Sequence, residues 1–368
     1  MSVGGPFHGV RVVELAGLGP SQHGAMLLAD LGADVVRVDR PPDGDPDRDT
    51  ARRTLLNRGR RSVALDLKDD ADREVALRLV DGADVLVDPY RPGVLERLGL
   101  GPDVALARNP RIVVARMTGW GQDGPRAGHA GHDIDYIAAA GALHAIGPPG
   151  DVPVVPLNLV ADFGGGGMLL AFGIAAALIE RERSGRGQVV DVAMVDGVAS
   201  LMNFAWQERA IGRWAPERGS NWLQGAAPWY RAYATADGTF VAVGAYEPKF
   251  YAQLLERLGL DPAAWPQWDH DRWATLSDVL TSVFASRTAG DWERELAGAD
   301  VCFARVRSLD EVFEDPHMAA RGSYVERDGL RQAGVVPRFD RTPGGLARPA
   351  PWPGEHDAEL RSELDVDR

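Results

Sequence analysis

The chain has 368 residues, 45% of them hydrophobic and 25% charged, which is enough for one large domain with a smaller one beside it. A formal net charge of −13 argues against a broad electrostatic grip on nucleic acid, although local basic clusters could still hold a small anion. The single cysteine, Cys302, excludes a disulfide within the chain and a cysteine-rich zinc site.

The opening MSVGGPFHGVRVVEL has no basic stretch followed by a long apolar core, so no signal peptide is expected and the expected compartment is the cytoplasm. The first third then alternates as parallel α/β structure does. GVRVVELA reads as a buried strand, SQHGAMLLADLG as a helix and ADVVRVDRP as a second strand. An Arg/Asp-rich loop, PPDGDPDRDTARR, leads to the strand SVALDL, the helix DADREVALRLVDG and the strand ADVLVDPY. RPGVLERLG and DVALARN are short helices before the strand RIVVARMTG. A proline-rich connection, GPPGDVPVVPLNL, precedes ADFGGGGMLLAFGIAAALIERERSG. Its most apolar part, Gly167 to Glu180, is expected to be a buried helix too short to span a bilayer. VVDVAMVDG closes this half as a strand running into the long helix ASLMNFAWQERAIG.

From about Trp222 the texture changes. YRAYATADGTFVAVGA is two β-rich runs around Ala-Asp-Gly, a hairpin signal. The helices EPKFYAQLLERLG, RWATLSDVLTSVFAS and TAGDWERELAG follow, the last starting between Thr288 and Asp291. VCFARV is a strand, SLDEVFEDPHMAARG a helix, and the end is extended and proline-rich before a last short helix. The expected fold class is α/β: a Rossmann-like doubly wound large domain (residues 1–205), a linker (206–221), a small α+β domain (222–322), and a return segment (323–368) completing the large domain.

Familiar nucleotide motifs fail on context. GWGQDG, Gly119 to Gly124, is a literal G-x-G-x-x-G after a strand, but Pro125 follows where a helix should begin. AGLGPSQHG is better placed yet has Gln22 where the third glycine belongs. Asp39 stands about where a ribose-binding acid would, but Arg40 follows it, which fits nucleotide binding in general rather than the NAD pattern. No G-x-S-x-G, Walker A, H-E-x-x-H or EF-hand pattern is present.

Three polar positions have plain explanations when taken alone. In AGHAGHDIDY, Ala127 to Tyr136, Asp133 is a natural N-cap and the glycine-flanked histidines suit a turn. Asp162, before four glycines, reads as a cap for the helix after it, although such a glycine run is costly unless backbone must approach something closely. A substrate passing the carboxylate would explain the run. Glu247 reads as an N-terminal helix charge before Pro248.

Together, GADVVRVDRP, RSVALDLK, ADVLVDPYRPGVLERLGLG, ARMTGWGQDGP, GHDIDYIAAAGALHAIG, NLVADFGGGGM and GQVVDVAMVDG resemble the family III CoA-transferase superfamily, as do AYEPKFY, EDPHMAARG and the terminal PGEH. Within it they resemble the branch that racemises 2-methylacyl-CoA thioesters, over essentially the whole chain. The resemblance implies two chains interlocked as a dimer, with the active site shared between subunits and no cofactor or metal beyond the CoA moiety of the substrate. It implies that His132 and Asp162 are the two acid/base groups and that Glu247 supports the histidine. Tyr246 before that glutamate, and Asp135 where asparagine is common, are its departures from the pattern. For the CoA half it points to Arg40, Leu65, Asp66, Leu67, Lys68, Pro89, Tyr90, Arg91, Arg97, Gly131, Ile134, Asp135 and Tyr136.

The chemistry suits those residue types. Racemising C2 of an acyl thioester takes a weakly acidic proton from one face and returns one to the other, so two groups of opposite protonation must flank the carbon. A histidine serves in either role, and a carboxylate partners it when its surroundings tune it. The developing enolate oxygen needs a fixed donor, for which the free N–H groups after His132, beginning with Asp133, are the candidates. Arg40, Lys68, Arg91 and Arg97 fall at or just past strand ends, where doubly wound sheets bind ligands, and cations there suit a pyrophosphate. Two rivals remain: a CoA-transferase using Asp162 as nucleophile, and a CoA-binding protein without catalysis.

Overall fold

Six short, valine-rich strands form one parallel sheet in this computed structural model, which describes residues 4–366. They are β1 (Arg11–Leu15), β2 (Asp34–Asp39), β3 (Arg60–Ala64), β4 (Val85–Asp88), β5 (Val113–Thr118) and β6 (Val189–Ala193), in the order β3-β2-β1-β4-β5-β6. Residues 1–3 and 367–368 of the expected spans lie outside the described residues. β4 and β5 are buried at every position, because helices cover both faces of a parallel sheet. Strand order reverses between β1 and β4, so the connections leaving these two strands diverge and open a crevice at their C-terminal ends.

The intervening helices are α1 (Pro20–Asp30), α2 (Arg48–Arg53), α3 (Asp70–Asp81), α4 (Val94–Arg97), α5 (Pro102–Arg108), α6 (Asp133–Ala139), α7 (Leu169–Ser184) and α8 (Met194–Leu201). Caps follow the sequence where the side chain is short and polar: Asp69 accepts from the N–H groups of Ala71 and Asp72 and starts α3. α2 was not foreseen; it interrupts the expected Arg/Asp-rich loop, and its cap is Asp47, which accepts from the Thr50 N–H at 3.0 Å. The expected long helix over residues 199–212 is instead α8 followed by α9 (Asn203–Ala210).

Three strands are also tied by buried charge. Glu14 in β1 and Arg60 in β3 are fully buried and paired, and Arg37 in β2 joins them, reaching Glu14 at 3.4 Å and Asp39 at 2.8 Å. Arg60 also donates to the carbonyl of Gln22 in α1 at 2.5 Å, so the network ties that helix to the sheet.

Contacts divide the chain into two units. One comprises Met1–Ala142, Pro156–Asn203 and Arg321–Arg368, and the other Leu143–Val155 and Phe204–Ala320. The stretch 206–221, expected as a linker, lies within the second unit. Arg218 there donates to the Pro148 carbonyl at 3.1 Å, and the nearby Gln224 donates to that of Ala145 at 3.0 Å. The second unit holds the antiparallel sheet β7 (Tyr230–Ala234), β8 (Phe240–Gly244) and β9 (Phe303–Arg305) with α10 (Pro248–Arg257), α11 (His270–Phe284) and α12 (Ala289–Glu295). Trp229 is fully buried in its core and Trp206 is 61% exposed, so the tryptophans of this half do not share one role. The single helix expected around residues 308–322 is broken at Pro316, where the Asp315 carboxylate caps α13 (Pro316–Arg321). β10 (Tyr324–Arg327) and β11 (Leu330–Ala333) form a hairpin that the sequence reading left out. α14 (Asp357–Val366) ends the described chain.

The four-glycine run departs most from expectation. Leu159–Met168 is a π-helical segment that continues directly into α7, so Asp162 stands inside a helix and caps nothing. The combined helix runs over Leu159–Ser184, 26 residues, and is long and apolar enough to cross a membrane, contrary to the expectation from the shorter run. It packs on α1, α8, β5 and β6. The glycines serve that packing: a Cβ on Gly165 would lie 2.9 Å from the Val198 nitrogen, one on Gly166 3.0 Å from the Pro20 Cβ, and one on Gly167 2.5 Å from the His23 Nδ1. Helix contact, not substrate approach, therefore explains them. From α8, Gly197 makes the reciprocal contact, where a Cβ would come within 2.0 Å of the Gly165 carbonyl oxygen. Gly197→Ala should accordingly cost about 1–3 kcal/mol in equilibrium unfolding by denaturant. Gly128→Ala, with nothing within 4 Å of its added Cβ, should change stability little.

Candidate active site

The crevice between β1 and β4 is lined by the turns leaving those strands. After β1 the chain passes Gly17, where an added Cβ would lie 2.4 Å from that of Pro89. Gly19 follows with φ +50°, a backbone that glycine adopts cheaply, and an added Cβ would lie 3.2 Å from Asp162 Oδ2. The Gly19 N–H donates to Gln22 Oε1 at 3.0 Å, and the Gln22 amide donates to Asn57 at 3.0 Å. Asp162 therefore faces the α1 entry turn from the π-helical segment.

α6 supplies the other group. Its N-cap is His132, not Asp133: the histidine has extended backbone (φ −132°, ψ 176°) and is exposed. Its N–H donates to the Asp135 carboxylate at 2.9 Å, the reach-back half of a capping box. The Asp133 side chain, freed from capping its own helix, turns to the π-helical segment. Its Oδ2 accepts from the N–H groups of Ala161 at 2.7 Å and Asp162 at 2.9 Å. Tyr136, one turn on, donates its hydroxyl to the Gly131 carbonyl at 2.5 Å and packs edge-on against Trp120.

Electrostatics link these groups. Burial holds the Asp162 carboxyl above its ordinary range; the Asn158 amide, donating at 3.1 Å, opposes that, the Asp133 charge adds to it, and the His132 charge opposes it. The Tyr136 phenol is pushed up to about 12 by burial and by the charges of Asp162 and Asp135, with Arg91 acting the other way. Asp162 thus feels Asp133 and His132, and Tyr136 feels Asp162, Asp135 and Arg91.

The remaining residues expected around the CoA half fall in two classes. Arg40, Lys68, Arg91 and Arg97 are exposed at or beyond the ends of β2, β3 and β4, and none has an ion-pair partner among the described residues. Pro89 and Tyr90 are half-buried at the exit of β4, and Ile134 and Asp135 are exposed on α6. Leu65 departs from expectation, since its side chain is 1% exposed in the core beneath the sheet; the strand ends at Ala64 and only backbone is presented there. Asp66 accepts from the Lys68 N–H at 3.1 Å, so its carboxylate shapes the turn, and Leu67 packs partly on the same core. Glu247 belongs to the second unit, where it is the exposed N-cap residue of α10.

Sequence reasoning missed Asn158, whose position four residues before Asp162 on one helical face was a usable signal. It also missed Asp88. This fully buried carboxylate at the end of β4 accepts from the Tyr90 N–H at 2.9 Å and from Arg116 at 3.0 Å, fixing the turn of the crevice.

His132 and Asp162 thus stand on two helical segments tied together by the Asp133 side chain, and exposed cations stand at or beyond the C-terminal ends of β2, β3 and β4. The model of CoA-transferase family III matches residues 7–357, and the chain belongs to that family. It is 44% identical to the mouse (Mus musculus) protein "Alpha-methylacyl-CoA racemase", over 96% of this chain and 92% of that protein. It is 32% identical to "Succinyl-CoA--D-citramalate CoA-transferase" of Chloroflexus aurantiacus, over 98% and 94% of the two chains. The crystal structure of a CAIB/BAIF family protein from Brucella suis superposes with a TM-score of 0.82 at 28% identity, covering 98% of this chain and all of that one.

Burial raises the Asp88 carboxyl from its ordinary value to about 6. The folded state therefore holds a proton there that the unfolded chain releases near pH 4, and the contribution of this group to stability declines as pH rises from about 4 to about 6. The thermal midpoint of Asp88→Asn, followed across that window, should gain relative to the wild-type protein as pH rises. Parallel curves would show that Asp88 does not titrate there.

Proposed function

We propose that the chain is a racemase interconverting the (R) and (S) forms of 2-methylacyl-CoA thioesters by 1,1-proton transfer. The observation that carries this reading is the Asp133 side chain, which ties the segment bearing Asp162 to the residue that follows His132, supported by the likeness to the mouse racemase over nearly the whole of both chains. A transferase that uses the aspartate as nucleophile has no need of a histidine base.

In one direction the Asp162 carboxylate takes the C2 proton as the C2–H bond breaks, and the electron pair moves onto the thioester oxygen as an enolate. His132, protonated, then returns a proton to the opposite face of C2, ending neutral while Asp162 is left protonated. The reverse reaction exchanges the roles. The enolate oxygen is met by the Asp133 N–H, which no hydrogen bond takes up among the described residues. Arg40, Lys68, Arg91 and Arg97, with the turns at residues 65–68, 89–91 and 131–136, hold the phosphates and nucleotide of CoA, and no cofactor beyond that CoA moiety is called for. The enzyme works in the cytoplasm.

The working unit is a homodimer in which Glu247 of one chain supports His132 of the other. An apolar face on the long helix favours such a cover: Leu159, Met168, Phe172 and Ile179 are 56%, 53%, 70% and 59% exposed. An interlocked interface of this kind buries more than ~2,000 Å².

His132→Ala and Asp162→Ala should each lose racemisation by about 100-fold or more while binding of a CoA ester stays within a few-fold, because each removes the acid/base group of one face. A mixing assay separates the rival. CoA passing from a donor thioester to a free acid would identify a transferase, and near wild-type turnover in either variant would refute the two-base assignment. Inactive His132→Ala and inactive Glu247→Ala chains, refolded together, should recover part of the activity if the site is shared, and a fully active monomer on size-exclusion chromatography would contradict the dimer.

A further inference from the structure

An aspartate in the first turn of a helix ordinarily serves its own N–H groups. Asp133 does not. The capping position of α6 is occupied by His132 and the reach-back by Asp135, while the Asp133 side chain, 5% exposed, is directed at a different helix. The N–H groups it accepts from, those of Ala161 and Asp162, lie in the first turn of the π-helical segment, where a helix with i→i−5 bonding leaves its leading N–H groups without internal partners. One of them belongs to the residue whose carboxylate faces the crevice. The second carboxylate oxygen, Oδ1, is buried with no hydrogen-bond partner. A buried oxygen left unsatisfied is costly and calls for a reason. The Asp133 carboxylate stands behind Asp162, and its charge adds to burial in disfavouring the ionised form of that residue.

The geometry points to Asp133 as a positioning residue that fixes where the Asp162 carboxylate stands and places a second carboxylate behind it, while its own backbone carries His132 at the adjoining position. This deepens the racemase reading and rests on it. Two-base proton transfer works in both directions only if the two groups accept protons in overlapping ranges of pH. A histidine titrates near neutrality, whereas an ordinary aspartate would stay ionised far below that and make a poor acid in the return direction. Burial raises the Asp162 carboxyl first, and the Asp133 charge adds to that rise.

The other groups around Asp162 do not supply the same effect. From α6, His132 acts in the opposite sense, Tyr136 is neutral with its hydroxyl committed to Gly131, and Asp135 is committed to the His132 N–H. From the π-helical segment itself, Asn158 favours the ionised form. From α1, His23 packs on the Phe163 ring with its imidazole held towards neutrality by burial, and from α8 Asp196 acts on Asp191. Arg91 reaches Tyr136.

Asp133→Asn keeps an acceptor oxygen for the clamp and removes the charge; Asp133→Ala removes both. The titration of Asp162 is followed by 13C NMR of aspartate carboxyl carbons, assigned with Asp162→Asn, and racemisation is measured against pH from each enantiomer. In Asp133→Asn the Asp162 titration should move to lower pH. The acidic limb of kcat in the direction where Asp162 is the base should move with it, and KM should stay within about twofold. Asp133→Ala should lose about 100-fold or more in kcat through misplacement of Asp162. A lowered kcat in Asp133→Asn with an unmoved Asp162 titration would mean a purely structural clamp and would overturn the proposal, as would an Asn variant indistinguishable from the wild-type protein. If the wild-type chain racemised nothing, the racemase reading would fail, and the NMR titration would still decide the role of Asp133.

Discussion

A single carboxylate oxygen, Oδ2 of Asp133, accepts two consecutive backbone N–H groups from another helix and thereby fixes the spacing between the two groups that could exchange a proton with one substrate carbon. His132 precedes the clamp in sequence and Asp162 is one of its two partners, so displacement of either helix strains the same pair of hydrogen bonds. Other features hold those helices in reach. The glycines at 165–167 let the π-helical segment lie against α1 and α8 closer than any side chain would permit. Gly19 lets the α1 entry turn lie beside Asp162, and the Gln22 side chain secures its N–H. Arg60, neutralised by Glu14, reaches back to the Gln22 carbonyl and ties α1 to β1 and β3. A pair so thoroughly buried contributes less to net stability than to register, since desolvation offsets most of its attraction.

The large unit was legible because parallel strands announce themselves. Valine-rich runs such as ADVLVDPY and RIVVARMTG, separated by amphipathic helices, pointed to a doubly wound parallel sheet of six strands, and the structure supplies their order. The antiparallel hairpin at Ala-Asp-Gly was read from turn chemistry alone. What stayed hidden were features that arise between segments distant in sequence. Nothing in ADFGGGGM says that the glycines meet α1 and α8 or that a π-helical segment begins before them, because the partners lie on other helices. The break between α8 and α9, and the attachment of residues 206–221 to the second unit, are likewise outcomes of tertiary contact.

The proposed acid/base pair rests on the resemblance. Taken alone, Asp133 and Asp162 both read as helix caps, and neither is one: His132 holds the capping position of α6, and Asp162 stands inside a helix. Local rules failed where the site is built, as expected for residues whose positions answer to function rather than to their own helix. Leu65 shows the same gap between local reading and packing. The resemblance places it in the CoA-binding turn, and its side chain belongs to the core, so it could meet a ligand there through its backbone.

The family holds both racemases and CoA-transferases on one scaffold, and the physical distinction lies in what Asp162 does with its electrons: taking a proton from C2, or attacking the thioester carbonyl to release CoA. The hydrogen at C2 reports this directly. In deuterium oxide, with the wild-type protein and a 2-methylacyl-CoA of one configuration, racemisation predicts that the C2–H resonance disappears as optical activity decays, from either enantiomer, with no free acid required. Retention of the C2 hydrogen and of configuration, while CoA passes to an added carboxylic acid, would contradict it.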